Sequence, residues 1–169
     1  MTDIQFCSRC GSEVELRFWG GRSRPTCPAC GWIAWRNPKA AVAVILRDAE
    51  GRVLLARRRG LPPGWCIPCG NIEWDEDIRE AGVRELKEET GLDVVLDHVV
   101  AVHSNFHDPL AHSVGIWFSG HAVGGTLSPG DDVVELGWYF PGSPPAELAF
   151  PTDRRVLESL SEGQSGAVI

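Results

Sequence analysis

Residues 70–92 crowd acidic side chains between two glycines, Gly70 and Gly91. Glu88 and Glu89 follow Glu85 by three and four positions, so a helix would carry all three on one face. Like charges at this spacing weaken an isolated helix by about 0.2–0.5 kcal/mol per pair, a cost that a bound cation would offset. Carboxylates offer only oxygen, which suits a hard divalent ion such as Mg²⁺ or Mn²⁺ better than Zn²⁺. The segment therefore predicts an acidic helix that binds a divalent metal.

The same segment follows a known spacing. Gly70 is followed after five residues by Glu76, and after seven more by the run Arg84-Glu85-Leu86-Lys87-Glu88-Glu89-Thr90-Gly91-Leu92. This arrangement resembles the Nudix box at all seven fixed residues and both apolar positions. A solvated acidic helix is the alternative interpretation, and the complete match disfavours it.

Four of the six cysteines form two C-x-x-C-G knuckles, Cys7/Cys10 and Cys27/Cys30, with 16 residues between them. Four thiolates are the closed tetrahedral ligand set of a structural Zn²⁺, and the pattern is similar to a zinc ribbon. Two disulfides are the alternative. The N-terminal residues do not have the pattern of a signal peptide, so we expect a reducing compartment and a zinc site.

The third cysteine pair has two interpretations. The run Trp65-Cys66-Ile67-Pro68-Cys69 resembles the thioredoxin redox motif, which requires a helix immediately after its second cysteine. Here the helical pattern starts only near Asp77. The run also resembles the W-x-x-P-G-G-x-x-E stretch that precedes the Nudix box, with Cys69 in place of its first glycine. We therefore expect Cys66 and Cys69 to be thiols beside the metal site.

Hydrophobic periodicity predicts a mixed α/β order. We expect short ribbon strands at 13–19 and 31–35, a hairpin of strands 40–46 and 52–57, a box helix, three later strands at 94–102, 114–123 and 133–140, and a last helix at 152–160 followed by a frayed tail. Asp75 is the expected N-cap of the box helix and Gly91 its C-cap. The Nudix resemblance implies an α/β/α sandwich with a mixed sheet. We expect a zinc ribbon over residues 1–36 and a Nudix hydrolase domain over 37–169.

The resemblance also implies roles for the box residues. Glu88 and Glu89 correspond to metal ligands, Glu85 to a ligand or general base, and the Gly70 carbonyl to a further ligand. Arg84 is expected to orient a box carboxylate through a charge-assisted hydrogen bond.

Further candidate site residues lie around the box. Glu76 is either a metal ligand or a tie between loop and helix, and Asp132 is the later-loop carboxylate that family members often add. Candidates for substrate contact are Arg58, Phe106 and Phe150.

The implied reaction is divalent-metal-dependent hydrolysis of a nucleoside diphosphate linked to another moiety, with release of a nucleoside monophosphate. A ribbon ahead of a Nudix domain resembles the NADH pyrophosphatase group, but the S-Q-P-W-P-F-P-x-S stretch of that group has no match here. ADP-ribose, FAD and NADH are the expected substrates. The alternatives are a binding or regulatory module and a thiol redox protein that uses Cys66 and Cys69.

The composition of the chain limits the kinds of partner it can bind. The net charge of −7 disfavours broad binding to nucleic-acid backbones, and no apolar run approaches the roughly 20 residues that span a bilayer. With 43% hydrophobic and 23% charged residues, the chain has the composition of a soluble globular protein, and we expect it to be cytoplasmic. We expect a small-molecule nucleotide as its partner, and leave a homodimer open.

Overall fold

The structure is a computed structural model that describes residues 4–60 and 62–163. It divides into two compact units, Met1–Pro38 and Lys39–Ile169. Among the described residues, no helix has both the length and the apolar character needed to cross a bilayer.

The first unit contains an antiparallel pair, β1 (Glu15–Trp19) and β2 (Arg22–Thr26). The chain reverses between them at Gly20 and Gly21, whose φ angles of 56° and 80° are those of a two-residue hairpin turn. The partner of β1 is therefore β2, and the strand predicted at 31–35 is wrong. That segment contributes only an isolated bridge from Ile33 to Thr26.

The described residues of the second unit form seven strands and two helices. In chain order they are β3 (Lys39–Leu46), β4 (Val53–Arg58), β5 (Gly64–Cys66), β6 (Cys69–Asn71), α1 (Ile78–Thr90), β7 (Leu92–Asn105), β8 (Ser113–Gly125), β9 (Val133–Tyr139) and α2 (Pro151–Ser161). The strands form two sheets, in the orders β6-β3-β8-β7 and β5-β4-β9. β3 pairs parallel with β8, while the other pairings are antiparallel. The predicted mixed sheet is confirmed.

The predicted hairpin of β3 and β4 is wrong, because the two strands belong to different sheets. Both edges of β3 are occupied, one by β6 and the other by β8. Between β3 and β4 the Asp48 carboxylate accepts hydrogen bonds from the backbone N–H groups of Glu50 and Arg52, at 3.1 and 2.8 Å. This turn leads β4 away into the second sheet after a single bridge between Arg47 and Val53.

Helix α1 begins two residues later than predicted. Its N-cap is Asp77, whose Oδ1 accepts from the Arg79 N–H at 2.8 Å, and not Asp75. The predicted C-cap is confirmed, since Gly91 has a φ of 73° and donates its N–H to the Lys87 carbonyl. The last helix begins and ends within one residue of its predicted limits. Ser161, the first residue of the predicted tail, closes this helix, and residues 164–169 lie outside the described residues.

The two helices cover opposite faces of the strands. The cluster on the α1 side contains Val44, Leu46, Leu54, Leu86 and Val94. The cluster on the α2 side contains Ala43, Ile45, Val53, Leu55, Val156 and Leu157. Alternate residues of β3 and β4 thus face different helices, as strand geometry requires. The predicted α/β/α sandwich is confirmed.

Candidate active site

Arg84 forms hydrogen bonds with three glutamates on and beside the acidic face of α1. Its Nε and Nη2 donate to the two carboxylate oxygens of Glu76 at 2.7 and 2.8 Å. Its Nη1 donates to Glu85 at 2.9 Å and to Glu88 at 3.0 Å. The hydrogen bonds from Arg84 lower the pKa of Glu76. Glu76 thereby ties the loop before α1 to the helix through a bidentate ion pair.

Glu85 and Glu89 both lie against the edge strand β6. A Cβ atom placed on Gly70 would lie 1.9 Å from the Glu85 carboxylate carbon, so only glycine permits this approach. Glu89 is 2% exposed, and its Oε2 accepts a hydrogen bond from the Cys69 N–H at 2.9 Å. The bare backbone of β6 and the α1 carboxylates are therefore in direct contact.

Burial sets the protonation of these carboxylates. It raises the pKa of Glu85 despite the opposing effect of Arg84, and it raises the pKa of Glu89 to about 8. Clustered, desolvated carboxylates of this kind are stabilised by a cation, and their oxygen-only donor set fits Mg²⁺ or Mn²⁺. The missing side chain at Gly70 lets the Glu85 carboxylate approach the β6 backbone, so that carboxylate and backbone oxygens lie close together. The residues present thus fit a divalent metal.

A cavity of about 670 Å³ lies on the α2 side of the first sheet. Its floor consists of alternate residues of the paired strands, namely Lys39, Ala41 and Ala43 of β3 and Ser113, Gly115 and Trp117 of β8. Cys69 and Gly70 of β6 also line it. Edge strand β6 is therefore a wall shared by the cavity and the acidic face of α1.

Two of the predicted substrate-contact residues line this cavity. Arg58 donates to Asp132 Oδ2 at 3.0 Å, and its guanidinium lies 5.4 Å from the centre of the Phe150 ring. Phe150 precedes α2 and lines the cavity with Arg58. Phe106 is placed elsewhere, being 68% exposed and packed edge-on against His112. Asp132 is engaged with Arg58, although sequence reasoning made it a metal candidate.

Asp153 is buried in the cavity wall, and no sequence pattern marks it as a functional residue. Its two oxygens accept from the Ile67 N–H at 3.0 Å and from Trp117 Nε1 at 3.1 Å. Burial raises the pKa of Asp153 to about 7. An aspartate in the first turn of a helix predicts only a favourable dipole interaction, so the sequence carried no stronger signal.

The two thiols ahead of the box differ in exposure, since Cys66 is buried and Cys69 is half-buried and lines the cavity. Cys66 is fully buried, with its Sγ 3.6 Å from the Ala56 carbonyl oxygen. A hydrogen bond with Cys69 lowers the pKa of Cys66, but burial and the nearby carboxylates of Asp153 and Glu89 together outweigh it and raise the pKa. The pKa of Cys69 is raised well above its usual value by its hydrogen bond to Cys66 and by burial. Neither thiol has the thiolate character that redox catalysis requires.

The four ribbon cysteines converge on one point. Their sulfurs all lie within 4.8 Å of one another, with 3.6 Å between Cys7 and Cys30 and 3.5 Å between Cys10 and Cys27. Four sulfurs bound to Zn²⁺ at about 2.3 Å would be separated by roughly 3.8 Å. A disulfide needs about 2.05 Å. The arrangement fits zinc and excludes the alternative of two disulfides in this conformation.

Comparison with known proteins identifies the family of each unit. Residues 37–160 match the NUDIX domain model, and residues 5–35 match the Nudix N-terminal model, a zinc ribbon. An ADP-ribose pyrophosphatase from Methanocaldococcus jannaschii is 35% identical over 127 residues, which are 73% of this chain and 74% of that protein. An NAD-capped RNA hydrolase from Stutzerimonas stutzeri is 29% identical over 159 residues. That match covers 92% of this chain but only 55% of the relative.

Solved structures show the same similarity. The crystal structure of a NUDIX hydrolase from Nitrosomonas europaea superimposes with a TM-score of 0.81 at 30% identity, covering 96% of this chain and 94% of that one. With the complete box on α1 and the four-cysteine ribbon before it, this chain belongs to the NUDIX hydrolase family, in the group that carries an N-terminal zinc ribbon.

Proposed function

We propose that this protein hydrolyses the diphosphate bond of a nucleoside diphosphate linked to another moiety and releases a nucleoside monophosphate. The observation that carries the proposal is the position of β6, which borders both the α1 carboxylates and the cavity. A substrate in the cavity would place its phosphates at β6, beside the carboxylates. ADP-ribose is the first candidate because a relative with 35% identity has that activity in its name, and FAD and NADH follow.

The metal ligands in this proposal are Glu85, Glu88, Glu89 and the carbonyl of Gly70, with Glu85 as either a ligand or the general base. When bound, divalent ions neutralise the phosphate oxygens, acidify the attacking water, and align it with the leaving group. Arg84 holds Glu85 and Glu88 in place through its Nη1 donor. Its bidentate pair with Glu76 fixes the guanidinium itself, which supports a positioning role for Glu76 rather than metal binding.

The cavity supplies binding and orientation. Arg58 is a cation in the cavity wall, and its ion pair with Asp132 fixes its orientation towards Phe150. We assign Arg58 to the phosphates and Phe150 to an apolar face of the substrate, with Asp132 as the residue that positions Arg58.

The test is the variant Glu88→Gln, assayed with ADP-ribose, NADH and FAD in the presence of Mg²⁺ or Mn²⁺. The side chain of Glu88 is 50% exposed, so the variant should fold normally. We expect release of nucleoside monophosphate to fall at least about 100-fold, because an inner ligand matters more than its supporting partners. Mn²⁺ binding, measured by calorimetry, should weaken in parallel.

The matched control is Glu80→Gln, which removes the same charge from an exposed position on the same helix. It should retain the activity of the wild type. If the wild-type protein with either metal releases no nucleotide from any of the three compounds, the hydrolase proposal fails. A binding module or a thiol protein would then be the better interpretation.

A further inference from the structure

The β1–β2 hairpin of the first unit has two different faces. In an antiparallel pair, cross-strand partners project to the same face, and successive residues of each strand project to opposite faces. One face therefore carries Leu16 and Phe18 with their partners Pro25 and Ser23. The other face carries Glu15, Arg17, Trp19, Arg22, Arg24 and Thr26. We call it the arginine–tryptophan face.

Three of the five arginines in residues 1–38 lie on this face. Arg17 is directly opposite Arg24, and like charges in such a position destabilise a strand pair. Arg17 is balanced by an ion pair with Glu15. Arg22 and Arg24 form no ion pair among residues 4–60 and 62–163. An anion from outside would offset this gathered positive charge.

Flat aromatic surfaces lie beside these cations. The Arg24 guanidinium lies 4.4 Å from the centre of the Trp35 ring, so Trp35 adjoins the arginine–tryptophan face. Trp35 and Trp19 are 53% and 55% exposed. A guanidinium that stacks on an indole keeps the N–H donors along its edge free for phosphate oxygens. Indole and guanidinium planes are the surfaces on which unpaired bases stack.

The net charge of −7 for the whole chain does not describe this local surface. Four thiolates outweigh the charge of a bound Zn²⁺, so the zinc site would also be negative. That site lies beyond the other end of β2, since Cys27 follows the strand that Arg22 begins. A rise of about 3.4 Å per residue separates the two by roughly 17 Å. Charges are screened over about 8 Å at physiological ionic strength, so the arginines at the hairpin turn act as local cations.

A single strand of nucleic acid fits both features of the face. Arg22 and Arg24 are two residues apart on β2, which is about 7 Å and comparable to the spacing of successive phosphates in an extended strand. The faces of bases in a duplex are stacked on each other, whereas unpaired RNA presents them to aromatic side chains. A lipid surface fits less well, because the side chains that would insert into it, Leu16 and Phe18, project from the opposite face.

We propose that the arginine–tryptophan face binds single-stranded RNA, with Arg22 and Arg24 at the phosphates and with Trp19 and Trp35 stacked on bases. This binding goes beyond the proposed function. It uses residues of the first unit alone, whereas the α1 carboxylates and the cavity belong to the second unit.

The experiment measures binding of the full-length protein to a fluorescent oligouridylate of about 10 nucleotides by anisotropy. Buffer without Mg²⁺ or Mn²⁺ separates this binding from any hydrolysis. We expect the wild type to bind the single strand at least about 5-fold more tightly than an RNA duplex of the same length, because the duplex offers no base to stack. The affinity should fall as salt rises. In Arg22→Gln, the slope of log affinity against log salt should be smaller by about 0.7, the effect of one lost phosphate contact.

Trp35→Ala and Trp19→Ala should each weaken binding by about 5- to 150-fold, the effect of one lost stacked base. The matched control is Phe18→Ala, which removes an aromatic ring that is 75% exposed on the opposite face of the same hairpin. It should keep the wild-type affinity. The zinc content of each variant reports whether the ribbon is folded, and Arg22→Gln at the exposed turn tests the face even if a tryptophan variant loses its zinc.

Four results would overturn the proposal. They are no affinity of the wild type for the single strand, equal affinity for the duplex, an unchanged salt slope in Arg22→Gln, and a loss in Phe18→Ala as large as that in Trp35→Ala. Binding to vesicles that contain phosphatidylglycerol, without binding to RNA, would assign the face to an anionic membrane surface instead.

Discussion

The contact between Gly70 and Glu85 leads to a sharp prediction for the variant Gly70→Ala. The added Cβ would lie 1.9 Å from the Glu85 carboxylate carbon and 2.1 and 2.2 Å from its oxygens. Carbon atoms in contact are separated by about 3.5 Å, so the carboxylate must retreat by about 1.6 Å. Displacements of about 1 Å at a catalytic centre cost on the order of 100-fold in rate. We therefore expect kcat/KM to fall about 100-fold.

Stability should respond in the opposite way. Gly70 does not have a positive φ, and the atoms it would displace belong to the mobile end of a glutamate side chain. Replacement of glycine by alanine at a compatible position stabilises a protein by about 0.4–1 kcal/mol, because it restricts the unfolded chain. The free energy of unfolding in urea should therefore be equal to that of the wild type or slightly higher.

The assay pairs steady-state hydrolysis of ADP-ribose with urea unfolding of the same preparations. The control is Gly142→Ala, where the added Cβ would meet only Ser161 Cβ at 3.6 Å, an ordinary contact. That variant should keep the wild-type rate. If Gly70→Ala stays within threefold of the wild type in kcat/KM, the close approach of Glu85 to this backbone is not needed for activity.

Two more predictions concern the ribbon and the buried aspartate. Cys27→Ser should release the zinc ion that we expect in the ribbon and unfold residues 4–38, while α1 keeps its acidic face. Atomic absorption measures the zinc content, and a variant that retained its zinc would refute the four-cysteine site. Because burial raises the pKa of Asp153 to about 7 from 3.8, folding takes up a proton between these values, and the wild type should lose stability relative to Asp153→Asn as the pH rises from 4 to 8. Urea unfolding at several pH values measures this difference, of a few kcal/mol at most, and a constant difference would contradict the assignment.

The local patterns in the sequence predicted the chemistry well. The box spacing predicted a helix with its carboxylates on one face, and α1 spans Ile78–Thr90 with its C-cap at Gly91. The cysteine spacing predicted a four-sulfur site, and the sulfurs of Cys7 and Cys30 lie 3.6 Å apart. Both patterns depend on neighbours in sequence, where helix periodicity and knuckle geometry determine which side chains meet.

Strand pairing was harder to predict from the sequence than these local patterns. The apolar runs of β3 and β4 were recognised, but their assignment to one hairpin was wrong. An apolar run predicts that a strand is buried, and it does not say which strand lies beside it. Strand β8, some 70 residues later in the chain, pairs in parallel with β3 and occupies the edge of β3 at which β4 would have paired in a hairpin.

The cavity was decided by tertiary structure alone. Asn105 is the last residue of β7 and Thr152 the second residue of α2, and each by itself has the pattern of an ordinary polar residue near the end of an element. Only the tertiary structure brings them to one cavity, which Gly70 also lines. The sequence by itself determined the family, the acidic helix and the zinc ribbon, because these follow from spacing along the chain. The tertiary structure decided where β6 meets the carboxylates and which residues line the cavity, because those contacts join residues that only long-range strand pairing brings together.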